Sequence, residues 1–305
     1  MPSLRQLEYL QALSQTRHFR RAAERVGVSQ PTLSAQLKAL EDQLGVQLVE
    51  RDRSGVVFTA AGEEILIIAQ QVLGQVQGIR DVATAHRDGL GGIVRLGVPP
   101  TIGPYLVPRM VPELHAAYPQ LKLYIREGIP SDLPSALTRG THDLLLTPVP
   151  VLGVDLETRP LFREPIYLVV AADHPFAASA AIDRTQLKGQ AVLSLGRGYQ
   201  LHAQVEALCE EFGAKLLSNF EGTSLDTLRQ MVGMGMGMSF LPGLYVRTML
   251  QQDPGVRILQ LRNRALYRTI GCAWRRASAR SHHYELIIEH LLVAVRRDFP
   301  DFALI

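Results

Sequence analysis

Residues 20–41, RRAAERVGVSQPTLSAQLKALE, constrain the fold more than any other stretch of this chain. Two consecutive alanines near its start are small enough for a second helix to cross closely over them. Gly27 stands where the first helix must end, because a C-terminal cap favours a residue that tolerates positive φ. Ser29 is a good N-cap, and Pro31 fits the first turn of the next helix, where no backbone N–H is needed. The stretch therefore predicts two short helices joined by a tight turn.

The second of these helices has one apolar face and one polar face. Leu33, Leu37 and Leu40 recur at spacings of four and three residues, as in a helix packed on a core. The other positions offer amides, hydroxyls and an ammonium group, which hydrogen-bond to bases and phosphates when such a helix lies in the major groove of DNA. We therefore predict that double-stranded DNA is a partner, and the candidate contacts on this helix are Ser29, Gln30, Pro31, Thr32, Ser34 and Lys38.

A β-hairpin, or wing, is predicted directly after the helix pair. Residues 51–59 form two short extended pieces around a Ser-Gly turn. Arg51 and Arg53 are placed on this hairpin to reach backbone phosphates. The first sixty residues hold eight basic and six acidic side chains, and the whole chain has a formal net charge of +3. Bulk charge is therefore no argument for DNA binding, which depends on where these charges point.

The segment from residue 60 to 88 contains no proline and predicts one long helix. Its apolar residues fall at three- and four-residue spacing, at Ile65, Ile68, Val72, Ile79 and Val82. A lone helix with such a seam needs a partner, and pairing with a second copy would hold two DNA-reading heads at a fixed distance. Packing on the next domain of the same chain is the alternative.

Beyond the glycine-rich stretch at 88–92 the pattern changes to alternating strands and helices, among them a strand at 166–172 and a helix at 243–251. Such alternation favours open α/β sheets whose ligands lie beyond the carboxyl ends of the strands. We predict a winged helix-turn-helix domain at 1–59, a linker and dimerisation helix at 60–88, and a two-lobed effector-binding domain at 89–305. Lobe I would hold about 93–163 and 269–305, and lobe II about 164–268. Hydroxyls and helix N-termini at the strand ends would suit a small carboxylate or another anion.

Several classes of protein fit the sequence poorly. The N-terminal residues lack a signal-peptide pattern and no apolar run approaches membrane-spanning length, so we expect a cytoplasmic protein without a membrane partner. The two cysteines make neither a disulfide framework nor a metal site, and no cofactor is predicted. An enzyme is disfavoured because no nucleophile–base set or phosphate loop stands out. A solute-binding protein without a DNA role remains an alternative that the helix-turn-helix disfavours.

Five motifs together resemble the LysR-type transcriptional regulators: FRRAA at 19–23, VSQPTLS at 28–34, LEDQLG at 40–45, LVER at 48–51 and FTAAG at 58–62. The resemblance covers essentially all 305 residues. It implies an α-helical winged helix-turn-helix and a long linker helix, followed by a two-lobed α/β domain like that of periplasmic binding proteins. It also implies that the first turn of the second helix meets base edges, while Ser29, Arg51 and Arg53 meet phosphates.

The resemblance further implies an assembly and a ligand site. Members of the family form homodimers or homotetramers, and RNA polymerase is a further candidate partner. The small-molecule effector would lie in the cleft between the lobes. The matching segments place its contacts at Thr101, Ile102, Pro130, Ser131, Thr147, Pro148, Tyr199, Gln200, His202, Thr223 and Ser224.

Within the family the chain is most similar to the peroxide-sensing, OxyR-like branch, through HFRRAA at 18–23, PTIGPYL at 100–106 and TSLDTLRQMV at 223–232. In that branch a peroxide-reactive cysteine lies shortly before a resolving cysteine. Cys209 matches the resolving position, and Gln200 takes the place of the reactive cysteine. A carboxamide cannot form a sulfenic acid, so the disulfide switch cannot operate in the usual way. We therefore favour a small organic effector; the alternative is an oxidant response through Cys209, Cys272 or the methionines.

A glycine-interleaved run, MVGMGMGM at 231–238, carries Met231, Met234, Met236 and Met238. The favoured interpretation is a flexible helix-to-strand junction whose methionines fill irregular space in the core. A soft-metal site or an oxidation-sensing role is the alternative.

Overall fold

The computed structural model describes residues 1–52, 55–88, 92–153, 155–179, 181–218 and 222–305. These residues divide into an N-terminal compact unit, containing 1–87, and a C-terminal compact unit, containing 88–137 and 142–305. No helix within the described ranges is both long and apolar enough to cross a membrane.

The N-terminal unit contains the predicted helix pair and wing. Its elements are α1 (Leu4–Thr16), α2 (Phe19–Val26), α3 (Gln30–Leu44), β1 (Val49–Asp52), β2 (Gly55–Phe58) and α4 (Ala60–Asp88). Gly27 ends α2 with a φ of 69°, and the Ser29 hydroxyl begins α3 by accepting the backbone N–H of Thr32 at 3.2 Å. Strands β1 and β2 pair antiparallel, with Val49 opposite Phe58.

The core of this unit lies between α1, α2 and α3. Leu33 and Leu40 of α3 are fully buried, and they pack in one cluster with Leu10 of α1 and Ala22 of α2. Replacing Ala22 by a larger residue would separate the helices, since buried side chains in cores are already close-packed. Three buried leucines in α3 and one small residue in α2 thus determine how the two helices cross.

The apolar seam predicted along α4 is largely unburied within one chain. Ile65 packs partly against the core of the N-terminal unit, but Ile68 and Ile79 are 58% and 71% exposed, and Val72 is also exposed. The side chain of Val82 lies outside the part of the chain that the structure describes. Most of the described seam residues of α4 are therefore exposed, and the pairing of this helix with a second copy of the chain stays a prediction.

The described residues of the C-terminal unit form one continuous mixed sheet of eleven strands. Its elements in chain order are β3 (Gly92–Val98), α5 (Gly103–Ala117), β4 (Leu121–Glu127), α6 (Leu133–Thr138), β5 (Leu144–Pro148), β6 (Leu156–Ala171), β7 (Ala181–Ile182), β8 (Ala191–Leu193), α7 (Gln200–Phe212), β9 (Lys215–Leu216), α8 (Leu225–Gly233), β10 (Met238–Pro242), α9 (Gly243–Tyr245), β11 (Val256–Leu261), β12 (Leu266–Arg275), α10 (Ser281–Asp298) and β13 (Ala303–Leu304).

Two long antiparallel strands connect the two halves of this sheet. Strands β6 and β12 pair along the whole length of β12, from Leu266 opposite Ile166 to Arg275 opposite Leu156. Beyond β12 the sheet continues through β5, β3 and β4, and beyond β6 it continues through β10, β8 and β9. Both strands cross the lobe boundaries predicted near residues 164 and 268. The strand pair is therefore the structural link between the two predicted lobes.

Candidate nucleic-acid interface and ligand cleft

The first turn of α3 presents polar groups outward. Gln30, Pro31 and Thr32 are exposed at this end of the helix, where backbone N–H groups and the helix dipole attract phosphate. The Ser29 and Thr32 hydroxyls lie 2.7 Å apart, so each already has a hydrogen-bond partner in the free protein. Gln30, by contrast, carries an exposed carboxamide at the first position of the helix, where it can form the two hydrogen bonds that distinguish a base.

The remaining predicted DNA contacts lie further along α3 and in the predicted wing. Lys38 is exposed and Ser34 is half-buried on α3; both line a groove that also contains the carboxylates of Glu41 and Asp42. Arg51 lies on β1, but its side chain is outside the described part of the structure, as is the whole of Arg53. The wing is therefore placed by its strand pairing, while the positions of its two arginine side chains stay predictions.

Thr101, predicted as an effector contact, is buried and bonded to an arginine that the sequence analysis missed. Arg268 of β12 donates to the Thr101 hydroxyl at 3.2 Å and to the Thr101 carbonyl at 3.1 Å. The same guanidinium lies 2.7 Å from the carboxylate of Glu164 on β6, and both side chains are buried. The other Glu164 oxygen accepts the backbone N–H of Leu244 at 2.8 Å. This ion pair fastens the loop before α5 to the strand pair and to α9.

The start of α7 brings three more predicted contacts near one another. Tyr199 is buried, and its hydroxyl donates to the Thr223 carbonyl at 3.1 Å. Gln200 is the first residue of α7 and is exposed, with its carboxamide free to meet a ligand. His202 is half-buried, with Nδ1 2.7 Å from the Leu195 carbonyl oxygen. Tyr199 and Thr223 therefore form one wall of the candidate ligand cleft, and Gln200 lies at the edge of that wall.

The segments carrying Pro130 and Ser131 meet the loop before α7. The Ser131 backbone N–H donates to the Gly198 carbonyl at 3.3 Å, and the exposed Ser131 hydroxyl donates to Asp132 at 3.1 Å. A Cβ at Gly198 would lie 2.7 Å from the Ile129 side chain, so a larger residue at this position would have to displace that side chain.

The other predicted contacts are placed less favourably for a ligand. Ile102 is fully buried at the start of α5, and Pro130 is half-buried. Ser224 caps α8 by accepting the Asp226 N–H at 3.2 Å. Thr147 and Pro148 are buried in β5, and no hydrogen bond among the described residues joins them to the other predicted contacts.

A tyrosine cluster that the sequence analysis missed lies beside these residues. The rings of Tyr105 and Tyr245 meet edge to face at 5.4 Å, and the Tyr245 hydroxyl donates to Asp226 at 2.8 Å. Burial and the charges of Asp226 and Glu127 raise the pKa of Tyr105. Burial, and then Glu127, raise that of Tyr199. The hydroxyls of Tyr105 and Tyr199 therefore stay protonated, and the carboxylates of Asp226 and Glu127 oppose the binding of an anion close to them.

Both thiols are buried in the core of the C-terminal unit. Cys209 lies on α7 and Cys272 on β12, and neither forms a disulfide. Burial, and secondarily the charge of Glu206, raise the pKa of Cys209 to about 11. Burial raises the pKa of Cys272 to about 12, against a smaller opposing effect of Arg159. Since the thiolate is the reactive form, the folded protein suppresses the chemistry of both sulfurs.

Alkylation of the native protein with iodoacetamide should be slow at neutral pH. A pKa of about 11, in place of 9, lowers the thiolate fraction of Cys209 about 100-fold, and burial slows access further. Because the thiolate is the reactive form, the rate should rise about tenfold per pH unit up to the raised pKa. Mass spectrometry of the native and urea-unfolded protein gives the two rates. Equal rates at neutral pH would contradict the burial of these thiols.

Family models match both units of the chain. Residues 4–63 match the bacterial regulatory helix-turn-helix protein, lysR family, and residues 87–296 match the LysR substrate binding domain. The chain is 38% identical over 287 residues to the DNA-binding transcriptional dual regulator OxyR of Escherichia coli, covering 94% of each sequence.

Two solved structures extend the likeness to the fold. A full-length OxyR variant from Pseudomonas aeruginosa matches with a TM-score of 0.79 and 38% identity, over 96% of this chain and 98% of that one. A hydrogen peroxide-bound OxyR mutant of Corynebacterium glutamicum matches with a TM-score of 0.67 and 30% identity, over 98% of this chain and 94% of that one.

Proposed function

Because this chain belongs to the LysR family of DNA-binding transcription regulators, we propose that it reads a specific operator through α3 and is controlled by a small molecule in its C-terminal cleft. The observation that carries the DNA-reading part of this proposal is the exposed first turn of α3, where Gln30 presents a carboxamide at the first position of the helix. Gln30, Thr32, Ser34 and Lys38 are the proposed readers. Ser29, Arg51 and Arg53 are the proposed phosphate contacts, and Pro31 shapes the turn.

Replacing Gln30 with alanine should relax operator preference rather than abolish DNA binding. Loss of a bidentate base contact costs about 1–3 kcal/mol at the base that is read and nothing on other sequences. Selection from a random DNA pool, followed by affinity measurements on the selected and mismatched sites, measures this. Arg53→Ala is the matched comparison: it should weaken all sites equally and reduce the salt slope by about 0.9. Equal weakening of all sites by Gln30→Ala would remove Gln30 from the readers.

The effector is proposed to bind where Tyr199, Gln200 and Thr223 meet the Ser131 loop. Gln200 offers both a donor and an acceptor at the start of α7, and the helix N-terminus favours an acceptor or anionic group. A small carboxylate fits that end of the cleft, while Glu127 and Asp226 oppose negative charge near Tyr105. A ligand with its anionic group at Gln200 and a hydrogen-bond donor toward Glu127 would satisfy both ends.

A thermal-shift screen of the full-length protein tests this placement. Small carboxylates and small amines of matched size form its two arms, followed by titration of each hit against Gln200→Ala. An effector that binds the folded state raises the midpoint, and Gln200→Ala should remove the shift without changing the unliganded midpoint. A hit whose shift survives Gln200→Ala binds elsewhere and contradicts the placement.

Control of transcription would then follow from linkage between the cleft and the assembly. We propose a homodimer paired through the exposed face of α4, and a homotetramer formed through the C-terminal units, with RNA polymerase as a further partner. An effector that prefers one arrangement of the subunits shifts the population toward it, and one with equal affinity for both does nothing.

The second candidate function is an oxidant response, and the likeness to the hydrogen peroxide-bound mutant of Corynebacterium glutamicum favours it. The burial and raised pKa of Cys209 and Cys272 oppose a response through these thiols. Gln200, which the resemblance places at the position of the reactive cysteine of that branch, opposes it further. We therefore rank the ligand-controlled regulator first.

A further inference from the structure

Two exposed methionines lie next to each other in the methionine run at 231–238. Met234 is 75% exposed and Met236 is 47% exposed, between a half-buried Met231 and a fully buried Met238. The sequence pattern favours core filling for all four methionines. The structure assigns that role to Met231, which packs on the core, and to Met238, but leaves the middle pair in solvent.

The exposed pair lies on a tight, hydrogen-bonded turn between α8 and β10. The Met234 N–H donates to the Gln230 carbonyl at 3.0 Å, and the Met236 N–H donates to the Met231 carbonyl at 3.2 Å. Gly235 between them has a φ of +75°, and no heavy atom lies within 4 Å of where its Cβ would stand. Both thioethers are therefore held apart from the core by the backbone rather than by a chance rotamer.

We propose that Met234 and Met236 form an oxidant-reactive site at which peroxides or hypochlorous acid transfer one oxygen atom to each thioether. With hydrogen peroxide the O–O bond breaks, one oxygen bonds to sulfur, and the other leaves as water. With hypochlorous acid the oxygen passes to sulfur while chloride and a proton leave. Each step oxidises sulfur by two electrons and gives a methionine sulfoxide, which methionine sulfoxide reductases reverse.

Thioethers react here ahead of thiols for a physical reason. A thiol must first lose its proton, and burial holds Cys209 and Cys272 in the protonated form. A thioether has no proton to lose, so its oxidation depends on access to the sulfur lone pairs. An oxidant that reaches this protein therefore oxidises the methionines of the α8–β10 turn, and this oxidation is reversible without a disulfide.

Oxidation at this turn leaves the fold intact. A sulfoxide is polar and disrupts a core when it replaces a buried thioether, but Met234 and Met236 already face water. Met110 and Met238 are fully buried and serve as internal controls within the same molecule. Met249, 50% exposed elsewhere in the chain, is the matched exposed control.

The test is peptide mass mapping of the full-length protein after graded doses of hypochlorite, quenched and digested. We expect one added oxygen on Met234 and on Met236 at doses that leave Cys209, Cys272, Met110 and Met238 unmodified. Treatment with methionine sulfoxide reductases should then restore the original masses. Oxidation of either cysteine before the methionine pair would overturn the proposal, as would a pair that reacts only after unfolding in urea.

Two variants sharpen the result. Met234→Leu/Met236→Leu should lose the oxygen uptake of the 231–238 peptide while keeping the wild-type thermal midpoint, because both side chains are exposed. Met249→Leu should leave the uptake of that peptide unchanged. A turn that still gains oxygen in the double variant would place the reaction on another residue and contradict the assignment.

Discussion

Glu164→Ala should lower the free energy of unfolding of the C-terminal unit by about 3–5 kcal/mol, because it leaves a buried guanidinium without its charge partner. Glu164 is fully buried and lies 2.7 Å from Arg268, which is 7% exposed. Burial raises the pKa of Glu164, while Arg268 and the Leu244 N–H favour its charged form. Once the carboxylate is removed, Arg268 keeps its bonds to Thr101 but has no counter-charge.

Urea unfolding, monitored by tryptophan fluorescence, measures the free energy of unfolding of the C-terminal unit. Trp274, the one tryptophan in the sequence, is buried in β12. The matched control is Glu285→Ala, which removes a surface ion pair to Arg159 and should cost less than about 1 kcal/mol. Glu164→Ala/Arg268→Met should recover part of the loss, since apolar residues often replace a buried pair without cost. Equal midpoints for the two single variants would contradict the argument.

Gly62→Ala should destabilise the N-terminal unit and abolish operator binding. A Cβ at Gly62 would stand 2.0 Å from the Leu48 carbonyl oxygen, which accepts the Thr59 N–H at 3.0 Å. Overpacking of this kind costs about 1–3 kcal/mol or more, and the contact here is with backbone, which cannot move aside. The gain in helix propensity, about 1 kcal/mol, does not offset it. The wing would shift away from α4, and the proposed phosphate contacts on the wing would shift with it.

Gly78→Ala is the control for this second prediction because it lies in the same helix. No heavy atom lies within 4 Å of a Cβ at Gly78, so the substitution should stabilise α4 by up to about 1 kcal/mol. Circular dichroism melting and operator affinity of both variants give the comparison. Wild-type operator affinity in Gly62→Ala would show that the close approach is not needed for the wing.

The helix pair was predictable because its signals are local. Gly27 and Ser29 mark the end of α2 and the start of α3, and the leucine spacing of α3 marks its buried face. Strand β6 was only partly predicted, from residue 166, although it begins at Leu156. The first ten residues of β6 contain two prolines and several charged residues, and they are held in the sheet by pairing with β12, which lies over 100 residues away.

The residues of the candidate cleft, too, could be predicted only where their signals are local in the sequence. Thr101, Tyr199 and Gln200 were found through motifs at the starts of helices. Arg268 and Glu164 were missed because a charged residue in a strand gives no sign of its partner on another strand. The helix predicted at 243–251 is a three-residue α9 followed by a π turn over Val246–Leu250. The Leu244 N–H bonds to Glu164 at the start of this segment, a contact that only the folded chain reveals.

Operator footprinting of Met234→Leu/Met236→Leu protein before and after mild peroxide tests most directly whether a ligand, rather than a thiol switch, controls this regulator. The double variant removes the thioether reaction at the α8–β10 turn, and mass spectrometry of the same samples gives the oxidation state of Cys209 and Cys272. We predict that both thiols stay reduced and that the footprint is unchanged. Oxidation of either thiol together with a footprint change that reductant reverses would contradict the account and make this chain a thiol-based oxidant sensor.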